Sequence, residues 1–69
     1  MRISARNQIK GTVVEVKKRA TTSHVRVDIG GDQILTSSIT NEAVDELGFK
    51  ARSAVTVIVK ASDMMIGAD

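Results

Sequence analysis

The fold depends most on the stretch His24-Val25-Arg26-Val27-Asp28-Ile29-Gly30-Gly31. Its apolar residues occupy every second position, which is the period of a strand with one buried and one exposed face. The two glycines at its end predict a tight hairpin turn, because glycine adopts positive φ without steric cost. We therefore expect a β-hairpin whose second strand runs from Gln33 to Ile39.

The strand before this hairpin is predicted over Gln8 to Arg19, and its apolar pattern changes phase once. Apolar residues and Gly11 hold the odd positions from 9 to 13, and valines then hold positions 14 and 16. A shift of one residue is the effect of a β-bulge, and a glycine inside a strand indicates a bend or a close backbone approach. Such bends let a small sheet curl into a barrel.

One helix and two further strands complete the prediction. Asn41 to Leu47 is a short helix capped by Thr40 or Asn41, and Gly48 suits the left-handed residue after it. The other elements are a loop at 20–23, a strand at 54–59 that is apolar on both faces, a short last strand at 64–67 and, at 1–7, a possible short opening strand. This order predicts an all-β protein with one short helix, a five-stranded barrel related to the OB fold.

The chain is one small domain of 69 residues, and a core of this size is marginal by itself. It contains no Cys and one His, so we expect neither a disulfide nor a structural metal site. The remaining source of stability is association with other copies. The strand Ala54 to Val59 favours such association, because so short a chain has little with which to cover a second apolar face.

Charge is distributed unevenly along the chain. Residues 1–30 contain seven Lys or Arg and two acids, whereas residues 31–69 contain three and six. The basic half either attracts an anion, such as nucleic acid, lipid or a small oxyanion, or complements the acidic half of a neighbouring copy. Because no signal-like apolar segment follows Met1 and no apolar stretch is long enough to span a membrane, we expect a cytoplasmic protein.

Three stretches are rich in hydrogen-bond donors and contain no carboxylate: Ser4-Ala5-Arg6-Asn7, Ile39-Thr40-Asn41 and Lys60-Ala61-Ser62. Hydroxyls, a guanidinium, an ammonium and backbone amides suit a small oxyanion, whose oxygens only accept hydrogen bonds. Each stretch also has a simpler interpretation, because arginines pair with carboxylates, threonines cap helices and lysines end strands. We expect the sheet to bring the three stretches together around an anion.

Several stretches occur in an order that resembles one known family. They are Ser4-Ala5-Arg6-Asn7-Gln8 with Gly11, Asp28-Ile29-Gly30-Gly31, Ile39-Thr40-Asn41-Glu42, Glu46-Leu47-Gly48 and Lys60-Ala61-Ser62. Together they resemble the molbindins, the Mop-type molybdate-binding proteins of the TOBE/Mop domain family, and the likeness makes residues 1–69 a single Mop domain. It implies strand-exchanged dimers that assemble into a hexamer as a trimer of dimers. It also implies molybdate or tungstate bound between subunits, for storage or buffering of the oxyanion.

The resemblance implies six oxyanion-binding residues, and three more are candidates. The six correspond here to Ser4, Arg6, Thr40, Lys60, Ala61 and Ser62. Asn7 is a candidate through its amide. His24 is either a solvated strand residue or, as three copies around an axis, part of a second anion site. Ala43 stands where many relatives carry a Ser that can touch the anion, so one hydroxyl donor is missing here. No side chain is expected to ligate the metal directly. Many relatives also carry Gly near Arg52, which leaves the conformation of that connector open.

Three other functions were weighed against oxyanion binding. Nucleic-acid binding by a small basic barrel predicts aromatic residues on the sheet face, and Phe49 is the chain's one aromatic residue. An enzyme is not expected, because no catalytic constellation is present. A regulatory module that acts on a partner protein remains an alternative to storage.

Overall fold

The computed structural model describes residues 3–69 as a four-stranded antiparallel sheet with one short helix. The elements are β1 (Asn7–Lys18), β2 (Thr22–Gly30), β3 (Gln33–Thr40), α1 (Asn41–Leu47) and β4 (Ala54–Val59), followed by a 3-10 turn at Ala61–Asp63. The strand order across the sheet is β3-β2-β1-β4. The predicted class, mostly β with one short helix, is confirmed. No helix in the described range is both long and apolar enough to cross a membrane.

Strand β1 is bent by the bulge that the change of phase predicts. Val13 pairs with Val27 and Glu15 with Arg26, so Val14 is the extra residue and has no partner in the register. Val14 is accordingly exposed, whereas Val13 is buried in the core. The bend lets β1 pair with β4 through its amino-terminal half and with β2 through its carboxyl-terminal half.

Gly11 lies where two strands approach closely, as predicted. A Cβ atom at this position would lie 2.6 Å from Val27 Cγ1 and 2.8 Å from the carbonyl oxygen of Asp28. Both distances are shorter than a carbon atom tolerates, so only glycine fits without a shift of β2.

The core consists of valines from the sheet and one valine from the helix. Val13, Val25, Val27 and Val44 are buried, and half-buried apolar residues pack around them: Val16, Ile29, Ile39, Phe49, Val55 and Val57. The helix ends are those the sequence predicts, because the Oγ1 atom of Thr40 accepts a hydrogen bond from the Ala43 amide and Gly48 has φ 68°. The helix therefore holds Val44 against the sheet.

Three sequence-based expectations are corrected. Met64 to Gly67 does not form the predicted fifth strand, because it pairs with neither edge strand of its own chain, and Met65 and Ile66 remain 95% and 97% exposed. The predicted loop at 20–23 is shorter, since residues 22 and 23 already belong to β2. Residues 3–6 of the predicted opening strand are not a strand, and Met1 and Arg2 lie outside the described residues.

The sheet leaves its two edge strands unpaired within the chain. Leu35 and Ser37 of β3 and Val57 and Val59 of β4 line a common cleft of about 230 Å³. The barrel is therefore open along the side where β3 and β4 face each other.

Candidate oxyanion site

Two cationic residues lie directly beyond the Asn7–Val59 pair, at the amino-terminal end of β1. Asn7, the first residue of β1, pairs with Val59, the last residue of β4, and the Asn7 Nδ2 atom donates a hydrogen bond to the Val59 carbonyl oxygen at 3.1 Å. Arg6 directly precedes β1 and Lys60 directly follows β4, and both residues are exposed. The register therefore places a guanidinium and an ammonium group at the same end of the sheet.

The segment that carries Ser4 and Arg6 is fixed by its neighbours. Ala5 is buried, whereas Ser4 and Arg6 on either side of it are exposed. The Gln8 Nε2 atom donates a hydrogen bond to the Ala5 carbonyl oxygen at 3.3 Å. The sequence-based prediction assigned no role to Ala5. Its small apolar side chain between two polar residues was the signal that it anchors the segment.

The 3-10 turn after β4 presents backbone amides at this end of the sheet. The Asp63 amide donates to the Lys60 carbonyl oxygen at 2.9 Å, and the Met64 amide donates to the Ala61 carbonyl oxygen at 3.3 Å. The first amide that is hydrogen-bonded within the turn is that of Asp63. The turn therefore supplies no acceptor for the amides of Ala61 and Ser62, which come before it in the chain. They are available, with the Ser62 hydroxyl, to an external acceptor.

The cationic side chains of this region form no salt bridge within residues 3–69. Within residues 3–69 the one salt bridge joins Lys18 Nζ to Asp45 Oδ1, at 2.6 Å. Neither Arg6 nor Lys60 therefore has a carboxylate within 4 Å. The same part of the chain contains no group of three His, Asp or Glu residues that could hold a metal cation.

Thr40 does not join these residues within one chain. It is the last residue of β3 and pairs with Thr22 of β2. The next residue of β2, Ser23, pairs with Lys18, which is the last residue of β1. Thr40 and Asn7 therefore lie at opposite ends of β1. The expectation that a single sheet gathers all three donor-rich stretches is not met by one copy of the chain.

The helix cap leaves one donor of Thr40 available. Its Oγ1 atom accepts the Ala43 amide hydrogen at 3.1 Å, which uses an acceptor position of the hydroxyl and not its hydrogen. The exposed hydroxyl can therefore cap the helix and donate to an anion at the same time. The Ala43 amide, by contrast, is already bound by Thr40.

His24 also lies away from Arg6 and Lys60. It is half-buried in β2, between Lys17 of β1 and Ser38 of β3. This position is close to the Thr40 end of the sheet, so His24 does not contribute to the Arg6 cluster of the same chain.

The side chain of Asn41 is not a free donor, although its stretch was interpreted as rich in donors for an anion. The side-chain amide donates to carbonyl oxygens of Arg19 and Ala20, and it accepts a hydrogen bond from the Ser23 hydroxyl. Ser23 is completely buried, which was not predicted because a serine after Thr-Thr resembles a loop residue.

Known proteins with a similar sequence or fold are binding proteins for molybdenum species. Residues 3–66 match the TOBE domain family. The chain is 47% identical over 66 residues to molybdenum-pterin-binding protein 2 of Clostridium pasteurianum, covering 96% of this chain and 97% of that protein. The structure of this chain is similar to that of a molybdate binding protein from Sporomusa ovata, with a TM-score of 0.92 and 32% sequence identity. The match covers 99% of this chain and 100% of the Sporomusa ovata chain.

The third similar protein was solved with its ligand bound. The cytoplasmic molybdate-binding protein ModG, solved with molybdate bound, matches 88% of this chain and 43% of its own, with a TM-score of 0.84 and 38% identity. Together with the Sporomusa ovata structure, this likeness confirms the predicted strand-based, OB-like fold.

Proposed function

Since this chain belongs to the TOBE domain family of molybdenum-binding Mop proteins, which bind rather than catalyse, we propose that it binds molybdate. The observation that carries the proposal is that Arg6 and Lys60 both adjoin the Asn7–Val59 pair, while no carboxylate of residues 3–69 lies within 4 Å of either cation. Molybdate is a tetrahedral dianion, so two cations match its charge. Its oxygens only accept hydrogen bonds, so hydroxyl and amide donors match its chemistry.

The ligand set has two parts, which lie at opposite ends of each protomer. Ser4, Arg6, Lys60, Ala61 and Ser62 supply one part, with Asn7 holding the two chain segments together. Thr40 supplies the hydroxyl of the other part. A complete site therefore forms where the Arg6 end of one copy meets the Thr40 end of another. Where relatives carry Ser, Ala43 supplies no hydroxyl, and molybdate binding is correspondingly weaker.

Exposed apolar surface supports association of copies. The edges of β3 and β4 are open, and the chain beyond the 3-10 turn exposes Met64, Met65 and Ile66. An extended segment that adds to an open sheet edge gains backbone hydrogen bonds and covers apolar side chains. Exchange of this segment between two copies gives a dimer, and three dimers give a hexamer. In the same assembly, three copies of His24 around an axis are the candidate second anion site.

The role that follows is storage or buffering of the oxyanion in the cytoplasm. Tungstate has the same shape and charge as molybdate, so the same donors accept it. Nucleic-acid binding is disfavoured, because Phe49 packs against the core and offers no exposed platform for a base.

Calorimetric titration with molybdate, tungstate and sulfate tests the proposal. We expect saturable binding of molybdate and tungstate by the wild type, and a loss of at least about tenfold in affinity for Arg6→Ala and for Lys60→Ala, since each removes a charge-assisted hydrogen bond. Lys10→Ala is the matched control, because Lys10 is an exposed lysine of β1 opposite Thr56. Equal molybdate affinity of the wild type and Arg6→Ala would count decisively against this site.

A further inference from the structure

Four hydrogen bonds converge on Asn41, the first residue of α1. The Nδ2 atom donates to the carbonyl oxygens of Arg19 at 2.9 Å and Ala20 at 3.4 Å. The Oδ1 atom accepts from the Ser23 hydroxyl at 2.5 Å, and the backbone amide donates to the Thr21 carbonyl oxygen at 3.0 Å. These bonds tie the start of the helix to the β1–β2 connection and to β2.

The orientation of the Asn41 amide is fixed by its partners. Backbone carbonyl oxygens only accept hydrogen bonds, so the NH₂ group must face Arg19 and Ala20. Ser23 is completely buried, and a buried hydroxyl is costly unless it is hydrogen-bonded. Its bond to Oδ1 therefore holds the other side of the amide. The NH₂ group of Asn41 is thus turned toward backbone carbonyl oxygens, closely to that of Arg19 and more distantly to that of Ala20.

The residue directly before this network is Thr40. Its backbone is held on the strand side by pairing with Thr22 and on the helix side by Asn41. Its Oγ1 atom is held by the Ala43 amide. The position of the Thr40 hydroxyl relative to the rest of the protomer thus depends on the Asn41 bonds. A donor that is already in place binds an anion without a further loss of conformational freedom.

We propose that Asn41, supported by Ser23, is a positioning residue for the oxyanion site and acts on the anion through the Thr40 hydroxyl. The inference rests on the proposed function, because it requires Thr40 to donate to the anion. Asn41 itself makes no contact with the ligand. The network gives the Thr40 end of one copy a fixed shape, against which the Arg6 end of the neighbouring copy closes.

A double-mutant cycle in the full-length protein tests this inference. Molybdate titrations compare the wild type, Asn41→Ala, Thr40→Ala and the double variant, with a melting curve of each variant taken without molybdate. We expect Asn41→Ala to lose about tenfold in affinity, the order that removal of a supporting hydrogen bond costs at ligand sites. In the Thr40→Ala background the same substitution should change the affinity by less than about twofold, because the residue it positions is gone.

Two further variants make the comparison secure. Ser23→Ala removes one oxygen atom and one hydrogen bond, and it should weaken molybdate binding in the same direction as Asn41→Ala. It carries the comparison if Asn41→Ala fails to fold. Thr12→Ala is the control, because Thr12 is an exposed hydroxyl residue of the inner strand β1 outside the network, and it should leave the affinity unchanged.

The outcomes separate the inference from the function on which it rests. A wild type that binds no molybdate overturns both. A wild type that binds, with Asn41→Ala equally tight, overturns the inference alone. So does a tenfold loss that is equally large with and without the Thr40 hydroxyl, since a general loosening of the protomer would produce that pattern.

Discussion

Replacing Thr40 by Asp separates the two roles of this residue. The Thr40 Oγ1 atom accepts the Ala43 amide hydrogen at 3.1 Å, and its hydroxyl hydrogen is the donor proposed for molybdate. A carboxylate accepts the amide hydrogen equally well but donates nothing at neutral pH. Thr40→Asp should therefore keep the helix cap and lose the anion, whereas Thr40→Ala should lose both. Thr40→Ser is the matched control, because it keeps both groups.

The expected magnitudes follow from these contacts. Loss of the cap in Thr40→Ala costs about 1 kcal/mol of the free energy of unfolding, whereas Asp caps at least as well as Thr. For a domain of this size, about 1 kcal/mol corresponds to a decrease of about 4–8 °C in melting temperature. Loss of a hydrogen bond to a charged ligand costs about 1.5–3 kcal/mol. A carboxylate about 4 Å from a dianion adds about 2–8 kcal/mol of repulsion, twice the value for two unit charges. Molybdate affinity should thus fall at least about a hundredfold in Thr40→Asp.

Two measurements on the same samples decide the outcome. Melting curves at one fixed protein concentration without molybdate report the cap, and calorimetric titration reports the anion contact. If Thr40→Asp binds molybdate within about threefold of the wild type, Thr40 does not face the ligand and the two-part site is wrong. If Thr40→Asp melts as low as Thr40→Ala, the cap geometry is not the source of the stability.

Three further predictions concern the fold and its surface. Gly11→Ala should lower the free energy of unfolding by about 1–2 kcal/mol, because the new Cβ would lie 2.6 Å from a side-chain atom and 2.8 Å from a backbone oxygen of β2. Urea denaturation in which Gly11→Ala is as stable as the wild type would contradict the close approach. Arg52→Gly should raise the melting temperature modestly, because Arg52 has a φ of 75°, a conformation that costs a non-glycine residue about 1 kcal/mol. A lower melting temperature would show that contacts of the arginine side chain stabilise the protein by more than the backbone conformation costs. Lys18→Ala should lower the free energy of unfolding by at most about 0.5 kcal/mol, because the side chains of the Lys18–Asp45 pair are 51% and 64% exposed. The difference from the wild type should vanish in high salt, and a salt-independent loss of stability would indicate a contact other than the ion pair.

Local features of the chain were predicted correctly because their causes lie within a few residues. The helix begins and ends where Thr40 and Gly48 place its caps, and the structure has it at Asn41–Leu47. The bulge follows from the change of phase after Val13. The hairpin turn follows from two glycines, both of which adopt positive φ. In each case the residue type restricts the backbone before any distant contact forms.

Features that depend on distant parts of the chain could not be read in this way. Met64 to Gly67 has a strand-like composition but pairs with neither open edge of its own chain, so Met65 and Ile66 stay exposed. Ser23 resembles a loop residue, yet it is buried because Asn41 reaches it from the start of the helix. Residue type restricted the conformation in both places but did not supply the partner.

The candidate site divides along the same line. The sequence by itself determined which side chains can bind an oxyanion, because hydroxyl, guanidinium and ammonium groups keep their donors in any fold. Only the tertiary structure decided that Arg6 and Lys60 meet at one end of β1 and that Thr40 lies at the other. The physical reason is that strand register, and not local sequence, determines which ends of the strands are neighbours.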